Sequence, residues 1–537
     1  MSDRARELVD AHEGSVAPED RRAQGVHYTP SPLADLLVRR AFDHLGRTPS
    51  RVCDPACGSG AFLLAAAAEL HRRGVAVRDV VTSRLVGIEL DEAAASVARR
   101  ALVVWADELG VAVAEHEVHV EHGDALAAPG TPSAVARPVG VDVVVGNPPF
   151  LSQLAGRTAR GAAHRATAER LLGRPGGYAD TASLFLVASL DLLDGGGVVC
   201  LLQPQSFLAA RDTEAVRAAV AERADLVELW GSDDAHFDAS VRVCAAVLTA
   251  PRAAPRAVPP VRISWGLPVV EHPDAGPTPD ARTWGPLLAG PRGLPVVPEP
   301  DGVRLGDVAT ATAGFRDEFY ALTDGLVDGL PGGSTANDPS ANGSARLVTV
   351  GMIDVARLTW DTTPRRVRGA ARLAPCVDLD ELARRSPRVA SWARDRMVPK
   401  VLVATQTRVV EAVPDPVGDC IPVTPTISVE PAAGAPSLPH LTAALCAPPV
   451  AAVAAARHLG AGLSAGALRW SASSVLDVAL PTPGPQWDEG AALVEALMVA
   501  GDTERPALLD RIGVVMTEAH GLDESHPVLA WWRSLAR

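Results

Sequence analysis

Four short stretches of the sequence carry side chains able to do chemistry, and each follows an apolar run. The most telling is VDVVVGNPPF, which ends in Asn147, Pro148, Pro149 and Phe150. An NH2 group conjugated to a ring or a carbonyl is a poor nucleophile, because its lone pair is delocalised. Two acceptors pulling on its two hydrogens restore its reactivity. The Asn147 side-chain oxygen and the Pro148 carbonyl are the right types for this, and Pro149 stiffens the loop that aims the carbonyl. Phe150 offers a ring on which a planar base stacks, a contact worth about 1–3 kcal/mol in nucleic-acid sites.

Three carboxylates precede that tetrapeptide. VCDPACGSGAF puts Asp54 at a strand end and Gly58 and Gly60 in a turn that opens a helix, where the backbone can approach a ligand closely. LVGIELD ends in Glu89, an acceptor where this topology binds a ribose diol, and HGDAL offers Asp124 to the amine of an adenine ring. Any one of them could instead cap the helix that follows it. Three in succession along one edge are far more specific.

The elements that must hold these residues are legible as alternating short apolar runs and helical patterns. Strands are predicted at 51–54, 84–90, 117–124, 141–147, 197–203, 225–230 and 243–249, with helices at 61–73, 92–108, 182–193 and 209–223. That alternation predicts an α/β fold with a mainly parallel sheet. Residues 251–300 become Pro-rich without periodicity, so the division expected is a catalytic domain over 1–255, a linker over 256–302 and a second domain over 303–537. Within the last, 325–344 reads as a Gly/Ser/Asn/Asp-rich loop.

Composition narrows the class further. At 537 residues, 47% hydrophobic and 21% charged, the chain is long enough for two or three domains with cores of their own. The charged opening MSDRARELVDAHEGSVAPEDRR has no apolar segment of a signal sequence, and later apolar runs break before about 18 residues. A cytoplasmic protein without a membrane span is expected. Seven cysteines without a CxxC pair predict reduced thiols, with Cys53 and Cys57 as small packing residues. No metal is expected: in EHEVHVEHGD, strand alternation puts His116 and His122 on one face and His119 on the other. The net charge of -14 runs against nucleic-acid binding, but residues 364–400 hold ten basic side chains against four acidic ones. That surplus is read either as a solvated face or as a basic surface for DNA.

The order of these motifs resembles the gamma class of S-adenosylmethionine-dependent amino-methyltransferases of restriction-modification systems, adenine-specific members above all. In that resemblance GVHYTPSPLADLLVRRAF, with Tyr28, Thr29 and Pro30 at its core, is similar to the motif that closes over the methionine end of the cofactor. Asp54 to Phe62, including Ala56, Gly58 and Gly60, resembles the glycine-rich cofactor motif; Glu89 matches the ribose-binding acid, and Asp124 with Ala125 the pair near the cofactor adenine. Asn147 to Phe150 resembles the catalytic tetrapeptide, with Phe in place of the commoner Tyr, and Asn147 also borders the cofactor. In DDAHFDASVRVCAAVLTA, Phe237 matches an aromatic that helps sandwich the target base.

The fold this implies is α/β: a class I, Rossmann-like methyltransferase sheet, mostly parallel, with helices on both faces and an antiparallel final strand, followed by an α+β target-recognition domain. The second half matches more loosely, through LGDVATATAGF, PKVLVATQT and LGAGLSAGALRWSASSVLDVALPTP. The activity implied is methyl transfer from S-adenosylmethionine to the N6 amine of an adenine flipped out of double-stranded DNA into a pocket between Phe150 and Phe237. Cytosine N4 is chemically almost equivalent. RNA guanine N2 or a protein glutamine poses the same problem to the same loop, and a non-catalytic DNA-binding module of a defence system is the alternative of another kind. Only 24 residues precede Gly25, which predicts that any restriction nuclease is a separate polypeptide.

Overall fold

Strands that are apolar on both faces pair in parallel when helices cover both sides of the sheet, and six consecutive buried residues in VDVVVG illustrate the rule. A computed structural model describes the chain except for residues 1–2, 17–28, 137, 151–158, 174–179, 235, 238–240, 251–259, 276–280, 299–301, 315, 325, 330–343, 460–469 and 537, together with the side chains of 159–163 and 316–317. The chain divides into two compact units, 1–291 with 459–461 and 292–458 with 462–537.

The first unit runs α1 (Asp3–Ser15), α2 (Ser31–Leu45), β1 (Val52–Asp54), α3 (Ala61–Arg72), β2 (Leu85–Glu89), α4 (Glu92–Glu108), β3 (Val120–His122), β4 (Val141–Gly146), α5 (Thr181–Leu190), β5 (Leu193–Pro204), α6 (Glu214–Ala221), β6 (Asp225–Gly231), β7 (Val243–Thr249), β8 (Val261–Trp265) and β9 (Val270–Ala275). These strands form one nine-stranded sheet in the order β3-β2-β1-β4-β5-β7-β6-β8-β9. β1 to β5 pair in parallel. β7 runs antiparallel between β5 and β6, which is the antiparallel strand expected of a class I methyltransferase sheet. The chain reverses direction across the sheet between β1 and β4, and in open α/β sheets ligands bind outside the carboxyl ends of the strands at such a point. Asp54 ends β1 and Asn147 follows β4.

Two expectations are corrected here. The span 256–302 is not simply a linker, because β8 and β9 extend the sheet beyond β6. The period-2 signal was present in VRISW, where Val261 and Ile263 are buried and Arg262 is exposed, but the surrounding prolines hid it. The fully buried Arg217 then ties residues 281 and 282 to the unit by donating to both carbonyls. The third strand is also shorter than predicted: Glu115–Glu117 forms a 3-10 turn and β3 ends at His122, two residues before Asp124. His119 and His122 donate from Nε2 to the carbonyls of Thr82 and Leu90. All seven cysteines are buried and free.

Helix α2 is tied to the sheet by a buried ionic group. Glu228 on β6 is fully buried, and it meets His44 Nε2 at 2.7 Å, Arg40 Nε at 3.5 Å and the Ser264 hydroxyl at 2.6 Å. Burial works to raise its pKa, but these partners together hold it below the ordinary 4.5. The network fixes the register of the helix that begins just after Thr29.

The second unit contains β10 (Ala309–Ala313), β11 (Val327–Asp328), β12 (Ser344–Val348), β13 (Arg365–Val367), β14 (Ala370–Arg372), β15 (Pro375–Asp378), β16 (Lys400–Val403), β17 (Ala412–Asp415), β18 (Cys420–Pro422) and β19 (Ile427–Pro431). They make four-stranded sheets β10-β19-β16-β17 and β11-β15-β12-β18, and the separate ribbon β13-β14. Helices α7 (Leu438–Leu445), α8 (Pro448–Arg457), α9 (Pro485–Val499), α10 (Arg505–Ala519) and α11 (Pro527–Leu535) follow the strands. Leu441, Val450, Val494, Met516 and Trp532 from these helices share one core with Val401 and Val429 from the first sheet. Among the described residues no single helix is long and apolar enough to cross a membrane. Most of the Gly/Ser/Asn/Asp-rich loop expected at 325–344, and of the segment beginning at 459, lies outside the described residues.

Candidate active site

The glycine-rich turn after β1 is held by backbone donors and acidic acceptors. Gly58 N–H donates to Glu89 Oε2 at 2.8 Å, and Asp91 N–H donates to the other oxygen at 2.9 Å. Asp91 in turn caps α4 through Ala93 and Ala94, so the strand end and the helix start are built from one short segment. Gly60 has φ +101, and a Cβ there would sit 3.2 Å from Ala98 of α4, so only glycine lets the turn pack this close. Gly58 also lies in the left-handed region, with open space where a side chain would be.

Asp54 is 1% exposed and takes one hydrogen bond, from Ala56 N–H at 3.1 Å. Burial pushes its pKa up to about 8; the Ala56 bond opposes the shift and the nearby Glu89 charge adds to it. Burial likewise raises Glu89. Across the crevice, a Cβ on Gly146 would lie 2.5 Å from Asp54 Oδ1, so the residue before Asn147 must be glycine for these strand ends to sit together. Asn147 Nδ2 donates to Thr29 Oγ1 at 3.0 Å, which turns the amide so that Oδ1 faces the other way. Thr29 is buried and Pro30 accepts from Leu33 N–H to start α2. Tyr28 lies outside the described residues.

The remaining predicted residues are placed unevenly. Ala125 lines a small apolar recess with Pro55, Ile88, Val135 and Phe185. Asp124 sits beside it, with Oδ1 already accepting from Leu126 N–H at 2.8 Å, so its turn satisfies part of its acceptor capacity. Phe62, the second residue of α3, is 2% exposed and packs in the hydrophobic core beneath the turn. Phe150 and Phe237 do meet, with ring centroids 6.3 Å apart and planes at 81°. That edge-to-face contact is favourable in itself, and no planar base fits between the two rings until one of them turns. The expected sandwich is therefore closed in this state.

One residue escaped the sequence reading. Glu13 on α1 accepts a hydrogen bond from the Ser59 hydroxyl at 2.7 Å, directly between Gly58 and Gly60. Ala5 and Val9 of α1 are buried in the same core as Leu102 and Trp105 of α4, which brings Glu13 over the turn. Burial raises its pKa to about 7; the Ser59 bond opposes this and Asp10 adds to it. Ala5, Leu8 and Val9 have the i, i+3, i+4 spacing of an amphipathic helix, but nothing in the sequence says where it packs. Among the described residues Glu13, Asp54 and Glu89 have no basic partner. The edge offers acceptors and buried negative charge, which suits a ligand that carries hydroxyls and a positive charge.

The comparisons fit this geometry. Residues 10–250 match the model of the family described as N-6 DNA Methylase. The Type II methyltransferase M.BanIII of Aneurinibacillus aneurinilyticus is 28% identical over 227 residues, covering 40% of this chain and 36% of that protein. The Type II methyltransferase M.VspI of Vibrio sp. (strain 343) is 28% identical over 214 residues, covering 40% of this chain and 45% of that protein. The chain thus spans less than half the length of these curated relatives. Among solved structures, the Type IIL restriction-modification enzyme MmeI in complex with DNA aligns over 94% of this chain and 74% of its own, with a TM-score of 0.57 at 13% identity. The DrdV-DNA complex aligns over 92% of this chain and 59% of its own, with a TM-score of 0.51 at 14% identity. At such identities these two likenesses concern the fold.

Proposed function

We propose, from the match of residues 10–250 to the N-6 DNA Methylase family, that the chain transfers a methyl group from S-adenosylmethionine to the N6 amine of adenine in double-stranded DNA. The observation that carries the reading is the Asn147 amide, held by Thr29 at the carboxyl end of β4 and one glycine away from the buried Asp54. The cofactor, when bound, supplies an electrophilic methyl group on a sulfonium sulfur. Glu89 would accept from its ribose hydroxyls, Asp124 and Ala125 would lie beside its adenine, and Asp54 with the glycine turn would face its charged end. Asn147 Oδ1 and the Pro148 carbonyl draw on the two hydrogens of the target amine, so that its lone pair is directed outward as it attacks. Phe150 and Phe237 part to admit the base and stack on it. No strongly perturbed base is needed, because the methylated amine is acidic while it carries both protons and loses one to solvent.

The setting we infer is restriction-modification or another phage-defence system. The test is transfer of labelled methyl from S-adenosylmethionine to unmethylated genomic DNA, followed by modified-base sequencing. N6-methyladenine in one sequence context is expected. Asn147→Ala should lower the rate on the order of a hundredfold or more while cofactor still binds. Labelled N4-methylcytosine, or label only in RNA or protein, would replace the adenine reading.

A further inference from the structure

The basic surplus between 364 and 400 divides into two groups once its partners are known. Lys400 is fully buried against Asp415, a correction to any reading of it as surface charge. Arg384 and Arg385 pair with Glu381, Arg394 pairs with Asp380, Arg396 lies over the Trp392 ring, and Arg388 is a single exposed charge among them. The other group is the ribbon β13–β14, which holds Arg365, Arg366, Arg368 and Arg372 within eight residues. Its two-residue turn has Arg368 at φ +50 and Gly369 at φ +82, the pattern that matches the twist of a tight hairpin.

The ribbon is rooted and charged in an unusual way. Val367 is 4% exposed and packs into the core that holds Trp360 and Leu347. The register places Arg365 directly opposite Arg372, and like charges facing each other across strands repel. Both keep a buried Nε without a hydrogen-bond partner, and Arg365 lies near enough to Glu411 to act on its charge. Arg366 lies on the opposite, exposed face, and Arg368 at the tip pairs with Asp324 only in an exposed contact, which is weak and exchangeable. A repulsive arginine cluster with a fixed root is relieved by an external polyanion.

We infer that the 365–372 ribbon is a docking element for duplex DNA, gripping phosphates through Arg366 and Arg368 with Arg365 and Arg372 adding charge at its base. This rests on DNA being the substrate. A two-stranded ribbon fits the major groove, and guanidinium forks match phosphate oxygens. With a net charge of -14, attraction to DNA has to come from a local element of this kind.

The experiment is fluorescence anisotropy of a labelled duplex titrated with the full chain over a salt series. The variants are Arg366→Gln and Arg368→Asn, singly and together; asparagine tolerates the left-handed backbone, and melting curves check the fold. Binding constants scale with salt to a power of about -0.9 per neutralised phosphate, so each lost contact should weaken binding roughly eightfold at 0.1 M salt and flatten the log-log slope by about one. Cofactor affinity should not move. Equal affinity and slope in wild type and the double variant would overturn the ribbon alone. Failure of the wild type to bind any duplex would overturn the DNA reading beneath it. Tighter wild-type binding to poly-glutamate than to duplex, lost in the variant, would reassign the ribbon to an acidic protein.

Discussion

Asp54 and Glu228 are two carboxyls buried in the same sheet, 1% and 0% exposed, and their titration is displaced in opposite directions. Burial pushes both upward. At Glu228 the push is overcome by His44, Ser264 and Arg40. At Asp54 only the Ala56 N–H opposes it, and the neighbouring Glu89 works the other way. A buried acid surrounded by donors and cations is structural. One left facing other acids stays neutral or awaits a cation, and the second case is the one found at the crevice. The pH signatures differ accordingly. Glu228 has a lowered pKa, so its contribution to stability is present above 4.5 and is lost as pH falls below it. Asp54 has a raised one, so its ionisation costs the ligand-free protein stability progressively as pH climbs from 3.8 to about 8.

The sharpest way to break the comparison is to remove each acid. Glu228→Ala leaves Arg40 and His44 facing an empty, buried site, and an unfolding free energy lower by about 3–5 kcal/mol is expected from denaturant melts. A loss under about 1 kcal/mol would mean that the network is no more than an exposed ion pair in effect. Asp54→Asn should behave in the reverse sense. The neutral amide resembles the protonated carboxyl already favoured at neutral pH, so stability should stay within about 1 kcal/mol of wild type. Cofactor affinity measured by calorimetry should fall, on the order of tenfold or more, because no charge remains to meet the sulfonium end. Unchanged affinity would move Asp54 into the same structural class as Glu228.

Much of this contrast was readable in the sequence, and the unread part has a physical cause. Asp54, Glu89 and Asn147 stood at strand ends because period and apolar runs fix where a buried strand stops, and strand order in an α/β sheet then aligns those ends. Sequence pattern misleads where a residue's partner is distant along the chain. Arg262 and Ile263 alternated as a strand does, yet prolines on either side concealed β8. Glu13 and Ser59 are 46 positions apart, and neither Lys400 nor Arg396 announces that it is buried or stacked. Local pattern gives elements and edges. Pairing across the fold decides which charges remain available.

Glu13 gives the smallest predicted effect and the finest test. Its carboxyl accepts from Ser59 within the cofactor turn and titrates near 7, below Asp54 near 8. A cationic ligand favours the ionised form of both, so binding depresses both pKa values, and affinity must rise with pH through the free-state values and flatten above them. S-adenosylmethionine affinity followed by calorimetry should therefore improve as pH rises from 6 to 9. Glu13→Gln keeps an oxygen to accept from Ser59 but cannot ionise. It should reduce that rise, changing the dissociation constant by less than about tenfold at any pH, without abolishing it. Were Glu13 merely a prop for the turn, Glu13→Gln would bind with the wild-type profile, while Ser59→Ala, which removes the hydrogen bond and keeps the charge, would be the more damaging change.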